Sequence, residues 1–275
     1  TSKTLDGSNI DSLLSSKDSL VYMSGIPDEN SGDMDAVILT FDKPSGQDTG
    51  KLVIKGKNSF WLDYIHGQFS ELFGERFGTW KEKQKKQSPE KMIKWSLDQG
   101  IPLSVYIETE HGWEFADYYN VVGPLAAKED VLEIDLHNIK SDKVNIKLEF
   151  GFLFWEIDYV AMDFTPNHSV EEHTVSLFSA FDENNNDVSD KLMFDDKKYY
   201  IQPHIGNEAL LTFQVPNQSE GTKRSFILHS KGHYEILKEI GGKPDIAHLK
   251  GFRKPGAFSQ FSKTRFLEFY DYFQK

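Results

Sequence analysis

Glu156 and Asp158 stand two apart in the run FWEIDYVAMDF. In a strand both project from one face, about 7 Å apart. That separation suits a pair of catalytic carboxylates in glycoside hydrolysis, although such pairs normally come from different strands. The competing reading is a strand that offers its acids to solvent or to nearby lysines. Asp182, Asn184, Asn186 and Asp190 match the first, third, fifth and ninth positions of an EF-hand-type loop, where oxygen ligands surround calcium. Asp187, however, occupies the place of the usual glycine, and Met193 that of the bidentate acid. An Asn-rich turn explains the same residues through their tolerance of left-handed backbone, so a turn is expected, with a structural calcium as the alternative. His229 and His233 would share a strand face and with a third ligand hold a transition metal. Gly232 interrupts that segment and no HExxH helix accompanies it.

No GxSxG, GxGxxG or Walker phosphate loop occurs. No enzymatic reading therefore has a specific residue signature. The aromatic residues offer a different chemistry. Trp61, Tyr64, Trp113, Tyr118 and Tyr119 fall in or beside predicted loops and hairpin ends, where flat rings stack on a sugar or anchor a protein partner. Packing in the core is the alternative for each.

Composition narrows the classes further. With 275 residues the chain is long enough for one large or two modest domains, and 21 Phe and 11 Tyr against 5 Met favour pleated surfaces. A net charge of −12 repels phosphate backbones, so no nucleic-acid partner is expected. The basic run from Lys81 to Lys86 reads as a solvated helix face. Without cysteine there are no disulfides, thiolate metal sites or cysteine nucleophiles. No apolar run reaches spanning length, and the polar start contains no signal-peptide core. If the protein is exported or lipid-anchored, its signal lies outside this sequence.

These side chains need elements to hold them. Residues 1–19 read as a flexible tether or a partial strand, not as core. Short apolar runs at 36–41 and 51–54 read as strands. From Phe60 the period changes: Phe69, Leu72, Phe73, Phe77 and Trp80 recur at helical spacing. A second helix starts at Ser88-Pro89 and closes at Gly100, making 60–100 a helical insertion. Alternation returns in IPLSVYIET, turns at His111-Gly112 into WEFADYY, and continues through 132–136 and 144–150, whereas 152–164 carries large apolar groups on both faces and reads as a buried strand. TPNHS at 165–169 marks a boundary. The smaller β unit after it has strands at 173–181, 197–203, 209–215 and 224–236, and ends in an aromatic tail.

The run FWEIDYVAMDF, preceded by WEFADYYNVVGPLAAKEDVLEIDL, resembles the closing strands of galactose-binding-like jelly rolls, accessory modules of bacterial surface proteins; the likeness covers residues 101–165. The later run DENNNDVSDKLMFDDKKYYIQPHIGNEALLTF, with RSFILHSKGHYE, looks like the C-terminal β region of exported proteins of Bacteroidota. The resemblance implies an eight-stranded jelly roll that binds glycans or neighbouring domains, sometimes with a structural calcium, outside the cell or in the periplasm.

The expected fold is thus mainly β: two sandwich-like modules, 20–165 with a helical insertion near 60–100, and 166–275. The expected function is non-catalytic recognition of a glycan or an envelope protein. The alternatives are a carbohydrate-active hydrolase using Glu156 and Asp158, and a structural subunit of a larger envelope complex docked through its helical insertion.

Overall fold

Strict alternation of apolar and polar residues builds the sheets, because successive side chains of a strand point to opposite faces. The computed structural model describes residues 1–27, 32–234 and 237–274. The chain is β-rich and its sheets are antiparallel. It divides into two units, Thr1–Pro166 with Glu239–Lys275, and Asn167–Lys238.

The first unit opens with β1 (Ser2–Thr4), a short α1 (Asp11–Leu14), β2 (Met34–Asp42) and β3 (Thr49–Asn58). Three helices follow: α2 (Phe60–Glu71), α3 (Phe77–Gln84) and α4 (Pro89–Asp98). The remaining strands are β4 (Leu103–Thr109), β5 (Gly112–Tyr119), β6 (Lys128–Asp135), β7 (Lys143–Gly151) and β8 (Trp155–Asp163). They form a five-stranded sheet in the order β1-β2-β7-β4-β5 and a three-stranded sheet in the order β6-β3-β8. Val37 and Leu39, Leu103, Val105 and Ile107, and Val144, Ile146, Leu148 and Phe150 line the inner face of the larger sheet. They share one core with Leu52, Ile54, Ile134, Trp155 and Ile157 of the smaller.

The insertion between β3 and β4 contains three helices, not two. Ser59 caps α2 by accepting the Leu62 N–H, and Ser88 caps α4 by accepting that of Lys91. Gly100 ends the insertion at φ +69, where a Cβ would lie 2.6 Å from the Gly151 nitrogen.

Residues 1–19 are not a loose tether. β1 pairs with β2, Ile10 and Leu14 are buried, and the Ser19 N–H reaches Asp158 at 2.9 Å. Four scattered apolar residues in a polar run are a weak sequence signal, yet burial of Ile10 and Leu14 is enough to tie the segment down.

The aromatic tail belongs to the first unit, not the second. It forms α5 (Ile246–Gly251) and α6 (Ala257–Gln274). Phe252 and Phe258 meet Phe69 of α2 at 4.8 and 5.5 Å between centroids, and Phe73, Trp80 and Trp95 extend the cluster. Polar bonds fix the docking. Gln99 accepts the Phe258 N–H at 2.8 Å, Trp95 Nε1 donates to the Phe252 carbonyl at 2.9 Å, and Ser262 donates to the Phe152 carbonyl at 2.9 Å. A hydrophobic face on the insertion and another on the tail cover each other, which a linear reading could not pair.

The second unit has a two-stranded sheet of β9 (Leu177–Asp182) and β10 (Ala209–Phe213). The expected strands at 197–203 and 224–234 carry no strand pairing; 235 and 236, the end of the latter, lie outside the described residues. Phe181 and Leu210, opposite each other in the register, and Phe178 at its shift all remain exposed, as side chains of a two-stranded sheet with little to cover it do.

Phe258→Ala should lower the unfolding free energy by about 3–5 kcal/mol in urea titration. Phe178→Ala, on an exposed face, should change it by no more than about 0.5 kcal/mol.

Candidate functional site

The antiparallel register sorts the outer face of the five-stranded sheet into rows. Lys147 of β7, Tyr106 of β4 and Phe115 of β5 stand side by side in one row, and Glu108 and Trp113 in the next. A bulge between Val105 and Tyr106 sets this phase. It places Trp113 and Phe115 on one face of an edge strand, 37% and 50% exposed. Beside them on the same face the polar groups are fixed. Thr40 donates to Asn145 at 2.7 Å, Asn145 donates to Glu108 at 2.7 Å, and Lys147 donates to Glu149 at 2.8 Å. The Lys147 ammonium lies 4.2 Å from the Tyr106 ring centroid and 5.9 Å from that of Trp113, a cation–π arrangement. Tyr106 meets Phe115 edge to face at 5.7 Å. Burial, helped by the Glu149 charge and hydrogen bond, pushes the Tyr106 hydroxyl up to about 12. It therefore stays protonated, with its one proton directed to Glu149. Together the groups make an open aromatic platform with hydrogen-bonding neighbours.

Of the sequence candidates, Trp113 and the half-buried Tyr118 belong to this face. The others do not. Trp61 and Tyr64 are packed under α6: Trp61 donates to Ser262 at 2.8 Å, and both rings meet Phe269. Tyr119 is 2% exposed and donates to the Leu52 carbonyl at 2.6 Å, a core residue whose phenol has found a backbone acceptor. Sequence reasoning missed Tyr106, Glu108, Phe115, Asn145 and Lys147. The alternation in IPLSVYIET already set Tyr106 and Glu108 on the face opposite Val105 and Ile107, and Phe115 follows Trp113 by two.

Glu156 and Asp158 share a face of β8, but each is met by a lysine of β3. Lys57 lies 3.2 Å from Glu156 and Lys55 lies 2.6 Å from Asp158, with Lys51 at 3.0 Å from Asp163 extending the ladder. Asp158 is the extra residue of a bulge opposite Lys55 and Gly56, and its side chain is only 4% exposed. Burial by itself would raise its pKa. The hydrogen bonds from Lys55 and the Ser19 N–H, with the Lys55 charge, outweigh burial and hold the carboxyl below the usual range. A general acid needs the opposite shift. The arrangement cross-links two strands and the N-terminal segment.

The Asn-rich loop is a turn. Asp182 Oδ1 accepts the N–H groups of Asn184 and Asn186 at 2.9 and 2.8 Å, and Asn185 takes φ +62. Asp190 lies in a separate 3-10 turn. His229 and His233 are exposed in irregular chain. Among the described residues no group of three or more His, Cys, Asp or Glu is placed to hold a metal ion. No helix among them is long and apolar enough to cross a membrane. A recess of about 370 Å³ beside α6 is lined by Asp33, His248, Lys254, Arg265 and Glu268. Its guanidinium is already engaged, 2.7 Å from Glu268 and 5.2 Å from the Phe261 ring.

Comparison with known protein families, curated proteins and solved structures returns no match. The function must be argued from the face itself.

Asp158→Asn should cost about 1–3 kcal/mol at pH 7, since Lys55 and the Ser19 N–H lose a charged acceptor. Because the folded pKa is depressed, this stabilisation is complete above the ordinary aspartate value near 4 and is lost as pH falls through the lower folded value. Urea unfolding at a series of pH values should show the gap between the two proteins closing below about pH 4.

Proposed function

We propose that this chain is a non-catalytic binding and assembly module that holds a partner, a glycan or an envelope protein, on the outer face of β4 and β5. The observation that carries the reading is the pair Trp113 and Phe115. Two large rings are exposed side by side on a sheet face, next to polar side chains held in place by hydrogen bonds. Rigid aromatic anchors of this kind contribute most of the energy at recognition surfaces, and a preorganised surface reduces what ordering costs on binding.

The setting supports the same role. Five and three antiparallel strands with a shared core are consistent with an eight-stranded jelly-roll sandwich, the fold that the resemblance to galactose-binding-like modules implies. A periplasmic or cell-surface location follows from that resemblance. The lysine ladder on Glu156 and Asp158 favours binding over hydrolysis, because it neutralises the acids that a hydrolase would use. The helical insertion is occupied by the tail, which leaves the sheet face as the better docking surface.

A Trp113→Ala/Phe115→Ala protein should lose at least about tenfold in affinity for whatever a broad glycan array or a pull-down from the native envelope identifies. Its thermal midpoint should move by no more than about 2 °C. Wild-type capture by the double variant would overturn the proposal.

A further inference from the structure

β5 closes one side of the five-stranded sheet, and no strand among the described residues pairs with its other edge. Gly112 to Ala116 are all exposed. An edge with unpaired N–H and C=O groups is a template for another strand, and proteins commonly recognise extended peptides by this addition. Within the segment that forms β4, β5 and their flanks the charges are of one sign; the cation next to it, Lys147 of β7, lies 5.9 Å from the Trp113 ring and is paired with Glu149. From Ile101 to Ala127 the chain carries Glu108, Glu110, Glu114 and Asp117 and no Lys or Arg. Glu108 lies beside Trp113 in the outer-face row, and its carboxylate is bonded by the Asn145 amide. Glu114 stands opposite Ile107, towards the other face, where it accepts the Thr109 hydroxyl at 2.9 Å. A strand laid along β5 would therefore meet rings on one face and a carboxylate on the other.

From this we infer that the partner is a protein segment rich in Lys and Arg that adds to the free edge of β5 as an extended strand. The inference rests on the binding role of the β4–β5 face and names the chemistry of its occupant. Alternate side chains of an added strand fall on opposite faces. Cations on the outer face stack against Trp113 and Phe115, and those on the other face pair with Glu114. The sheet already contains this chemistry internally, in the Lys147 ammonium over Tyr106 with Glu149 as its counter-ion. An edge strand selects a peptide backbone over a sugar, because only a peptide supplies the matching row of donors and acceptors. The acidic surroundings select a basic peptide over a neutral or acidic one.

The test is titration of the full chain into short fluorescent peptides, followed by anisotropy. One peptide carries adjacent basic pairs (Lys-Arg) separated by Thr-Val, so that cations reach both faces of an added strand, a second replaces the basic residues by Glu, and a third replaces the Thr-Val pairs by Pro-Pro, so that in either register a missing N–H faces the edge. The basic peptide should bind at least about tenfold more tightly than either control, and the binding should weaken with salt. Trp113→Ala should weaken it about fivefold or more, as loss of a cation–π contact predicts, and Glu114→Gln about two- to fivefold. Two neutral oligosaccharides and an oligomer of free-amine hexosamine are run in parallel. Equal binding of the basic and Glu peptides, or tolerance of the Pro peptide, would overturn the strand-addition inference. So would an oligosaccharide that binds through Trp113 where no peptide does, but that outcome would leave the binding role of the face intact. If the native partner captured from the envelope is indifferent to Trp113→Ala/Phe115→Ala, the binding role itself falls.

Discussion

The contact between Phe69 of α2 and the tail residues Phe252 and Phe258 organises the first unit. Each presents an apolar face that the other covers. The insertion helices are short, and helices of that length gain most of their stability from packing an apolar face; the tail helices meet the same limit at their buried residues. Edge-to-face rings at 4.8 and 5.5 Å satisfy both. Gln99, with both ends of its amide bonded to the tail, keeps the junction in one register. At Gly74, φ is +51 and a Cβ would lie 2.3 Å from the Gly242 carbonyl oxygen. The two chain segments can approach that closely only where one of them lacks a side chain.

This junction also sets the start of the candidate site. Gly100 joins α4 to the strand that carries Tyr106 and Glu108, and its carbonyl accepts the Gly151 N–H at 2.8 Å at the end of β7. The insertion is thus anchored to the sheet where β4 begins; the alternation of β4 then points Tyr106 outward, and the bulge in β5 brings Phe115 opposite it. With insertion and tail spent on each other, the exposed aromatic surface of the larger sheet is confined to its β5 edge.

The two sheets use their outer faces differently. On the smaller, lysines of β3 meet acids of β8, and a bulge draws Asp158 under the N-terminal segment. Those charges are consumed in holding strands together. On the larger, the Lys147–Glu149 pair supports Tyr106 while the rings of Trp113 and Phe115 stay open to solvent. Similar residue types thus give cross-links in one place and a recognition surface in the other, according to which strands are neighbours.

Much was legible in the residue order. Period-2 alternation defined β4 and β7, a run apolar on both faces defined β8, Ser88-Pro89 and Gly100 bounded α4, and the Asn-rich run announced its turn, because these signals depend on neighbours within a few positions. Strand order and long-range docking do not. The lysines of β3 and the acids of β8 are about a hundred residues apart in the chain, so their pairing appears only when the strands are side by side. Trp61, Tyr64 and Tyr119 look the same in sequence as Trp113. Only tertiary packing buries the first three, under α6 and in the core, and leaves the fourth open, because exposure belongs to the surface that neighbouring elements leave uncovered and not to the residue itself.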